Sequence, residues 1–144
     1  MNRTPIFEWD EALGLASCIL TDGKRTYYGT ASCSEEDREF CSEKTGCEIA
    51  FRRARIHMYQ GYRDEIKIRL EALNQYYYSI NKSKHYNPKS YEARMLQRQI
   101  KMTESDLSLA KELLITEKMN LRAYLTAKAT FYNNVRAHRS TGQK

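Results

Sequence analysis

The 144-residue chain is poor in residues that break and turn a backbone, with 6 glycines and 2 prolines. Counts that low exclude a turn-rich β architecture and favour helix. Long apolar runs are also missing: no stretch approaches the roughly 20 uncharged residues that span a bilayer, so no membrane partner is expected. The opening MNRTPIFEWD carries charges where a secretory leader has its apolar stretch, which points to a soluble chain that stays inside the cell that makes it. There is no glycine-rich phosphate loop, and Gly29-Thr30-Ala31 cannot serve as one. His57, His85 and His138 lie far apart and form no H-x-x-x-H pair. Cys18, Cys33, Cys41 and Cys47 crowd into one 30-residue stretch, and four thiolates can complete a zinc site. Their spacing lacks the C-x-x-C pairs that put two ligands on one turn. Four small, reduced thiols without metal are expected in an intracellular compartment. With no cofactor fingerprint and no recognisable set of nucleophile, base and acid, the chain is expected not to be an enzyme and to need no cofactor.

What is present is charge and helical period. Hydrophobic residues make up 41% of the chain, charged residues 29%, and mean hydropathy is −0.76, a balance that suits helices with large surface. Residues 1–50 hold 5 Lys+Arg against 10 Asp+Glu, net −5; residues 51–144 hold 19 against 8, net +11. The basic part suits an acidic partner, either nucleic acid or an acidic protein face. It suits a solvated helical surface equally well, because Lys and Arg are good helix formers.

Residues 1–10 read as an irregular arm, with Phe7 and Trp9 available to pin it to a core. Glu11–Thr21 reads as a strand, Asp22-Gly23 as a two-residue hairpin turn, and Lys24–Cys33 as the return strand. Gly29 and Ala31 share a face of that strand, where small side chains let a helix approach. Ser34-Glu35-Glu36-Asp37 has the form of a capping box for a short turn ending near Phe40, and Ser42 can cap a long helix reaching about Asn81. Tyr59, Ile66, Leu73 and Ile80 recur every seven residues, with Tyr62, Arg69 and Tyr76 between them. NKSKHYNPK at 81–89 breaks the pattern. A second helix follows from about Ser90 to Arg139, with Ile100, Leu107, Leu114 and Leu121 at seven and Leu96, Thr103, Ala110, Tyr124 and Phe131 on the companion seam. Glu117 and Lys128 interrupt it. Folding back at the loop brings the two runs into antiparallel register, and Phe131, Tyr132 and Val135 are left to cover the β-hairpin. STGQK is expected to fray.

The resulting expectation is a single domain, 1–144, of the α+β class and dominated by helix. A two-stranded β-hairpin head (11–56) packs on the base of a long, coiled-coil-like antiparallel helical hairpin (57–139) with its tip near 81–89. At that tip Tyr76, Tyr77, Tyr78, Tyr86 and Tyr91 gather around Lys82, Lys84, His85, Lys89 and Arg94. Tyrosines among bases suit stacking on single-stranded nucleic acid or anchoring on a protein; they also suit plain cover for the helical seam. The candidate partner-binding residues are Tyr77, Lys82, Lys84, His85, Tyr86, Lys89, Tyr91 and Arg94, joined by Arg52 and Arg55, which share one side of the first helix. Pairing of these arginines with Glu48 and nearby acids is the plainer alternative.

Gly29-x-Ala31-x-Cys33, Glu36-Asp37, Phe40, Ser42-Glu43, Gly46, Ile49-Ala50 and Arg53-Ala54-x-Ile56 together resemble a segment of small phage and prophage proteins. In those, a strand ending G-x-A-x-C leads through an acidic loop to a helix of the form S-E-x-x-G-x-x-I-A-x-x-R-A; Ser34-Glu35 stands where that pattern has a proline. The match covers about 28 residues and carries no chemistry. The resemblance implies a phage protein acting in the host-cell cytoplasm, of the kind that inhibits host defence, anti-CRISPR proteins included. On that basis the expected function is non-enzymatic occlusion of a protein or nucleic-acid surface of a host nuclease. Direct nucleic-acid binding is the alternative, and a virion assembly role the third. Phe51, Met58 and Leu70 lie off the seam of the first helix, and Leu113, Leu114 and Ile115, being consecutive, cannot all face it from the second; this apolar excess adds the expectation of a homodimer.

Overall fold

The computed structural model describes residues 4–142. Three antiparallel strands, β1 (Ile6–Asp10), β2 (Leu15–Thr21) and β3 (Thr26–Ser32), form a meander in the order β1-β2-β3. A single 3-10 turn at Arg38–Phe40 follows, then two long helices, α1 (Glu43–Asn81) and α2 (Tyr91–Gly142). No helix among the described residues is long and apolar enough to cross a membrane. The chain divides into two compact units: a head of Met1–Met58 with Ile115–Lys144, and a helical unit of Tyr59–Leu114.

In the head, the expected two-stranded hairpin is a three-stranded sheet. The arm that reads as irregular is β1, which pairs with β2 from Ile6↔Ile19 to Asp10↔Leu15. The strand expected from Glu11 begins at Leu15, because Glu11–Gly14 turns the chain between β1 and β2. That turn is held by the Leu13 amide donating to Asp10 Oδ1 at 3.0 Å, and Gly14 takes a φ of +61°. The second turn is one residue displaced from the expected Asp22-Gly23. The Asp22 amide donates to the Arg25 carbonyl, so Gly23-Lys24 forms the tip, and Asp22 Oδ1 accepts from the Lys24 and Arg25 amides.

The inner face of the sheet is built from small residues. Ala16, Cys18, Leu20, Gly29 and Ala31 are buried there, and Ala50 and Ala54 of α1 lie against them. A Cβ on Gly29 would sit 2.0 Å from the Ala50 carbonyl oxygen, so backbone meets backbone at this point, as the small-residue face predicts. Trp9 closes over Gly46, and Phe7 meets Phe51 edge-on with centroids 6.3 Å apart. Both aromatics of the arm therefore pin β1 to α1.

Ser34 Oγ accepts from the Asp37 amide, and Ser42 Oγ caps α1 by accepting from the Thr45 amide at 3.1 Å. Between them, Cys33 and Cys41 are joined in a disulfide, which overturns the expectation of four reduced thiols; Cys18 and Cys47 remain free. The bond lies against Gly14, where an added Cβ would sit 3.1 Å from Cys41 Sγ and 3.7 Å from Cys33 Sγ. Burial, with Cys47 nearby, pushes the Cys18 thiol up to about 11.

The C-terminal part of α2 reaches the 33–41 segment, and Leu125 and Ala129 share a pocket with Ala31 of β3. Tyr132 stacks on Phe40 at 4.5 Å with planes 6° apart, while Phe131, expected to help cover the strands, is exposed. Arg136 pairs with Asp37 and donates to the Glu36 carbonyl, and Arg139 pairs with Glu39 at 2.7 Å. The helix runs through Ser140 and Thr141 to Gly142, past the point of expected fraying; Gln143 and Lys144 lie outside the described residues.

In the helical unit, the seam of α2 is the one the heptads mark: Leu96, Thr103, Ala110 and Leu114 are buried, with Ile100 and Leu107 half-buried. On α1, Tyr59, Ile66, Leu73 and Ile80 are half-buried, but Tyr76 is exposed. The heptad positions are thus buried or half-buried on α2 and half-buried at best on α1, and the coiled-coil expectation is not fully met.

Candidate functional site

The turn between α1 and α2 is short and internally bonded. Ser83, Tyr86 and Ser90 amides donate to the carbonyls of Ile80, Ser83 and Asn87 at 3.0–3.2 Å. Asn87 Oδ1 accepts from the Lys89 amide across Pro88, and Ser90 Oγ caps α2 by accepting from the Ala93 amide. Asn and Ser supply the local acceptors that let the chain leave one helix and enter the next within nine residues.

Two of the five tyrosines hold this turn in place. Tyr77 and Tyr86 meet edge-to-face with centroids 6.3 Å apart, and the Tyr77 hydroxyl accepts from Gln97 Nε2 on α2. The Tyr86 hydroxyl is enclosed without a hydrogen bond of good geometry. The Tyr77 hydroxyl beside it still favours the neutral phenol and raises its pKa above the ordinary value. Both were expected at the partner surface, and both are committed to the tip itself.

The other three tyrosines point outward: Tyr76 is 60%, Tyr78 63% and Tyr91 72% exposed. Lys82 Nζ lies 4.3 Å from the Tyr78 ring centroid. Lys84, His85, Lys89 and Arg94 are exposed, and none forms an ion pair among the described residues. From residue 72 to residue 103 the chain holds six basic residues and one acid, Glu92. Open aromatic faces among unpaired cations can stack on bases or rings and contact phosphate or carboxylate.

Tyr77, Lys82, Lys84, His85, Tyr86, Lys89, Tyr91 and Arg94 thus share one end of the helical unit. Arg52 and Arg55 belong to the head and are engaged there. Arg52 pairs with Glu48 at 2.9 Å and lies over the Tyr124 ring; Arg55 pairs with Glu117 at 2.6 Å and lies over Phe51. The plainer reading of these two arginines accounts for them. Tyr76 and Tyr78 are the surface residues the candidate set omits. They lie about 100° to either side of Tyr77, so an inward Tyr77 turns both outward.

Compared with family models, with curated proteins and with solved structures, the chain matches none.

Proposed function

We propose that the chain is a non-enzymatic binding protein that docks the tip of its helical unit on an anionic partner surface and, as an anti-defence protein of phage type, blocks a host nuclease acting on nucleic acid. The observation that supports this reading is the tip itself: Tyr76, Tyr78 and Tyr91 stand open beside Lys82, Lys84, Lys89 and Arg94 on a turn fixed by its own hydrogen bonds. A preformed aromatic and cationic surface loses little entropy on binding. Direct binding of single-stranded nucleic acid is the second reading, favoured by the same open ring faces. Self-association belongs with the first. Leu113 and Ile115 are exposed as expected, and Met102 and Leu109 add to the outer face of α2, whereas Met58 is buried and contributes nothing.

The test is a cleavage assay with a CRISPR nuclease, with and without the chain, beside anisotropy on a single-stranded oligonucleotide from about 50 to 200 mM salt. Inhibition at stoichiometric chain that drops at least about tenfold in Tyr78→Ala/Lys84→Ala and persists at the higher salt supports the first reading. Oligonucleotide affinity that collapses with salt, without inhibition, selects the second. Neither activity overturns both. A light-scattering mass of 16.9 kDa at every workable concentration removes the dimer.

A further inference from the structure

Two charged residues interrupt the apolar seam of α2, and their fates differ. Glu117 is buried against Arg55, at 2.6 Å. Lys128 is half-buried, lies 5.6 Å from the Tyr124 ring centroid, and reaches no carboxylate among the described residues. It lines a partly open pocket of about 230 Å³ on the head. Ala31 of β3, Ile49 of α1, and Leu125 and Ala129 of α2 form the apolar walls, and the stacked pair Phe40 and Tyr132 closes one side. Two other charged groups reach the wall, and both are occupied: Asp37 pairs with Arg136, and Arg53 donates to the Thr30 carbonyl at 2.8 Å. Neither cation meets a carboxylate, but Arg53 is held by a carbonyl, whereas Lys128 forms neither an ion pair nor a hydrogen bond among the described residues and only lies against Tyr124.

We propose that this pocket is a binding site for a small carboxylate with an aryl-sized apolar body, the carboxylate on the Lys128 ammonium and the body between Ile49, Leu125 and the Phe40–Tyr132 pair. An apolar cavity near 150 Å³ already accepts benzene, so the volume here takes a ring with a short acid arm. A half-buried ammonium in an apolar wall gains most from an anion that brings its own apolar cover, because the pair is then shielded from water together. Thr45 and Tyr132 also line the pocket and place two hydroxyls on its wall. The site is separate from the tip, and this proposal stands whatever the tip binds.

The probes are phenylacetate and its neutral isostere phenylacetamide, titrated into the full chain and followed by amide chemical shifts. Saturable shifts confined to residues 31–53 and 125–132 are expected, with the acid bound at least about tenfold more tightly than the amide. Lys128→Met should remove that preference and leave amide affinity in place; Lys128→Gln reads the same if Met disturbs folding. Ala129→Phe, which fills the pocket from the α2 wall, should abolish both. Absence of saturable shifts, equal affinity for acid and amide in the unaltered chain, or a preference that survives at Lys128→Met would each overturn the proposal.

Discussion

The head and the helical unit spend the same residue types in opposite ways. In the head, one cluster of rings and cations meets partners of its own chain: Phe40 carries Tyr132 on one face with Arg136 and Arg139 nearby, and Arg52, Arg55, Arg136 and Arg139 each meet a carboxylate. At the tip of the helical unit, Tyr76, Tyr78 and Tyr91 show most of their surface to solvent, and the lysines beside them form no ion pair among the described residues. The charge imbalance between residues 1–50 and 51–144 is therefore partly internal. Asp37 and Glu39 of the acidic part answer Arg136 and Arg139 of the basic part. At the tip Lys82, Lys84, Lys89 and Arg94 have one acid, Glu92, among them and form no ion pair among the described residues.

If the head is the tightly committed region, changes there should cost most. Gly29→Ala places a Cβ 2.0 Å from one backbone atom of α1 and 2.5 Å from another, neither of which can swing aside. We expect a loss of at least about 3 kcal/mol. Denaturant unfolding followed by the fluorescence of Trp9, the chain's single tryptophan, reports this directly; a loss below about 1 kcal/mol would mean that the sheet and α1 are not in contact as described. Next comes the Cys33–Cys41 disulfide, which closes a loop of sequence separation 8. Its removal by Cys33→Ser/Cys41→Ser should lower head stability by about 2–3 kcal/mol through loop-closure entropy, and a non-reducing mass measurement with thiol counting checks that the bond is there to lose.

The third effect is one of pH. The Cys18 thiol has an ordinary value of 9.0 and about 11 in the folded head. Below pH 9 both folded and unfolded thiols keep their proton and the stabilisation is complete. Between 9 and about 11 the unfolded thiol releases its proton while the folded one does not, so stability falls as pH rises. Melting of the head followed by Trp9 should show this fall, and Cys18→Ala should flatten it. A melting temperature that stays level through that window would contradict the burial assigned to Cys18. The smallest effect belongs to the other region. Tyr78→Ala/Lys84→Ala should leave stability unchanged within about 0.5 kcal/mol; Tyr86→Ala should cost about 1 kcal/mol by removing the packing on Tyr77. If the two variants cost the same, the division between structural and open tyrosines at the tip is wrong.

Where the sequence was informative, the signal was local. Ser42 as a cap, the α2 heptads and the small-residue face at Gly29 each depend on a few neighbouring residues and could be read from spacing. β1 could not, because IFEWD has weak alternation of its own and becomes a strand by pairing with β2. The disulfide was hidden for a related reason: cysteine spacing says nothing of whether a strand end and a helix start will meet. At the tip, composition pointed to the right nine-residue turn, yet the choice of which tyrosine turns inward depends on the phase of α1 at its last turns. Tyr76 was assigned to the seam by the heptad count and stands open instead. Arg52 is readable as a partner of Glu48 four positions before it, whereas Arg55 is readable only as a charge, since Glu117 lies more than sixty positions away.

That same separation bears on the order in which the molecule is made. Arg136 and Arg139 reach residues about a hundred positions earlier, and the head is assembled from two stretches with the whole helical unit between them. As the chain is synthesised, the sheet and the first turns of α1 emerge first but lack Tyr132, Leu125 and the arginines that complete their surroundings. The helical unit, whose contacts are shorter in sequence, can form while the head is still waiting. A free chain truncated after residue 114 should therefore protect Tyr59–Leu114 from proteolysis while its sheet remains open to cleavage. Closure of the head is then the last step of folding, and it falls to the C-terminal turns of α2.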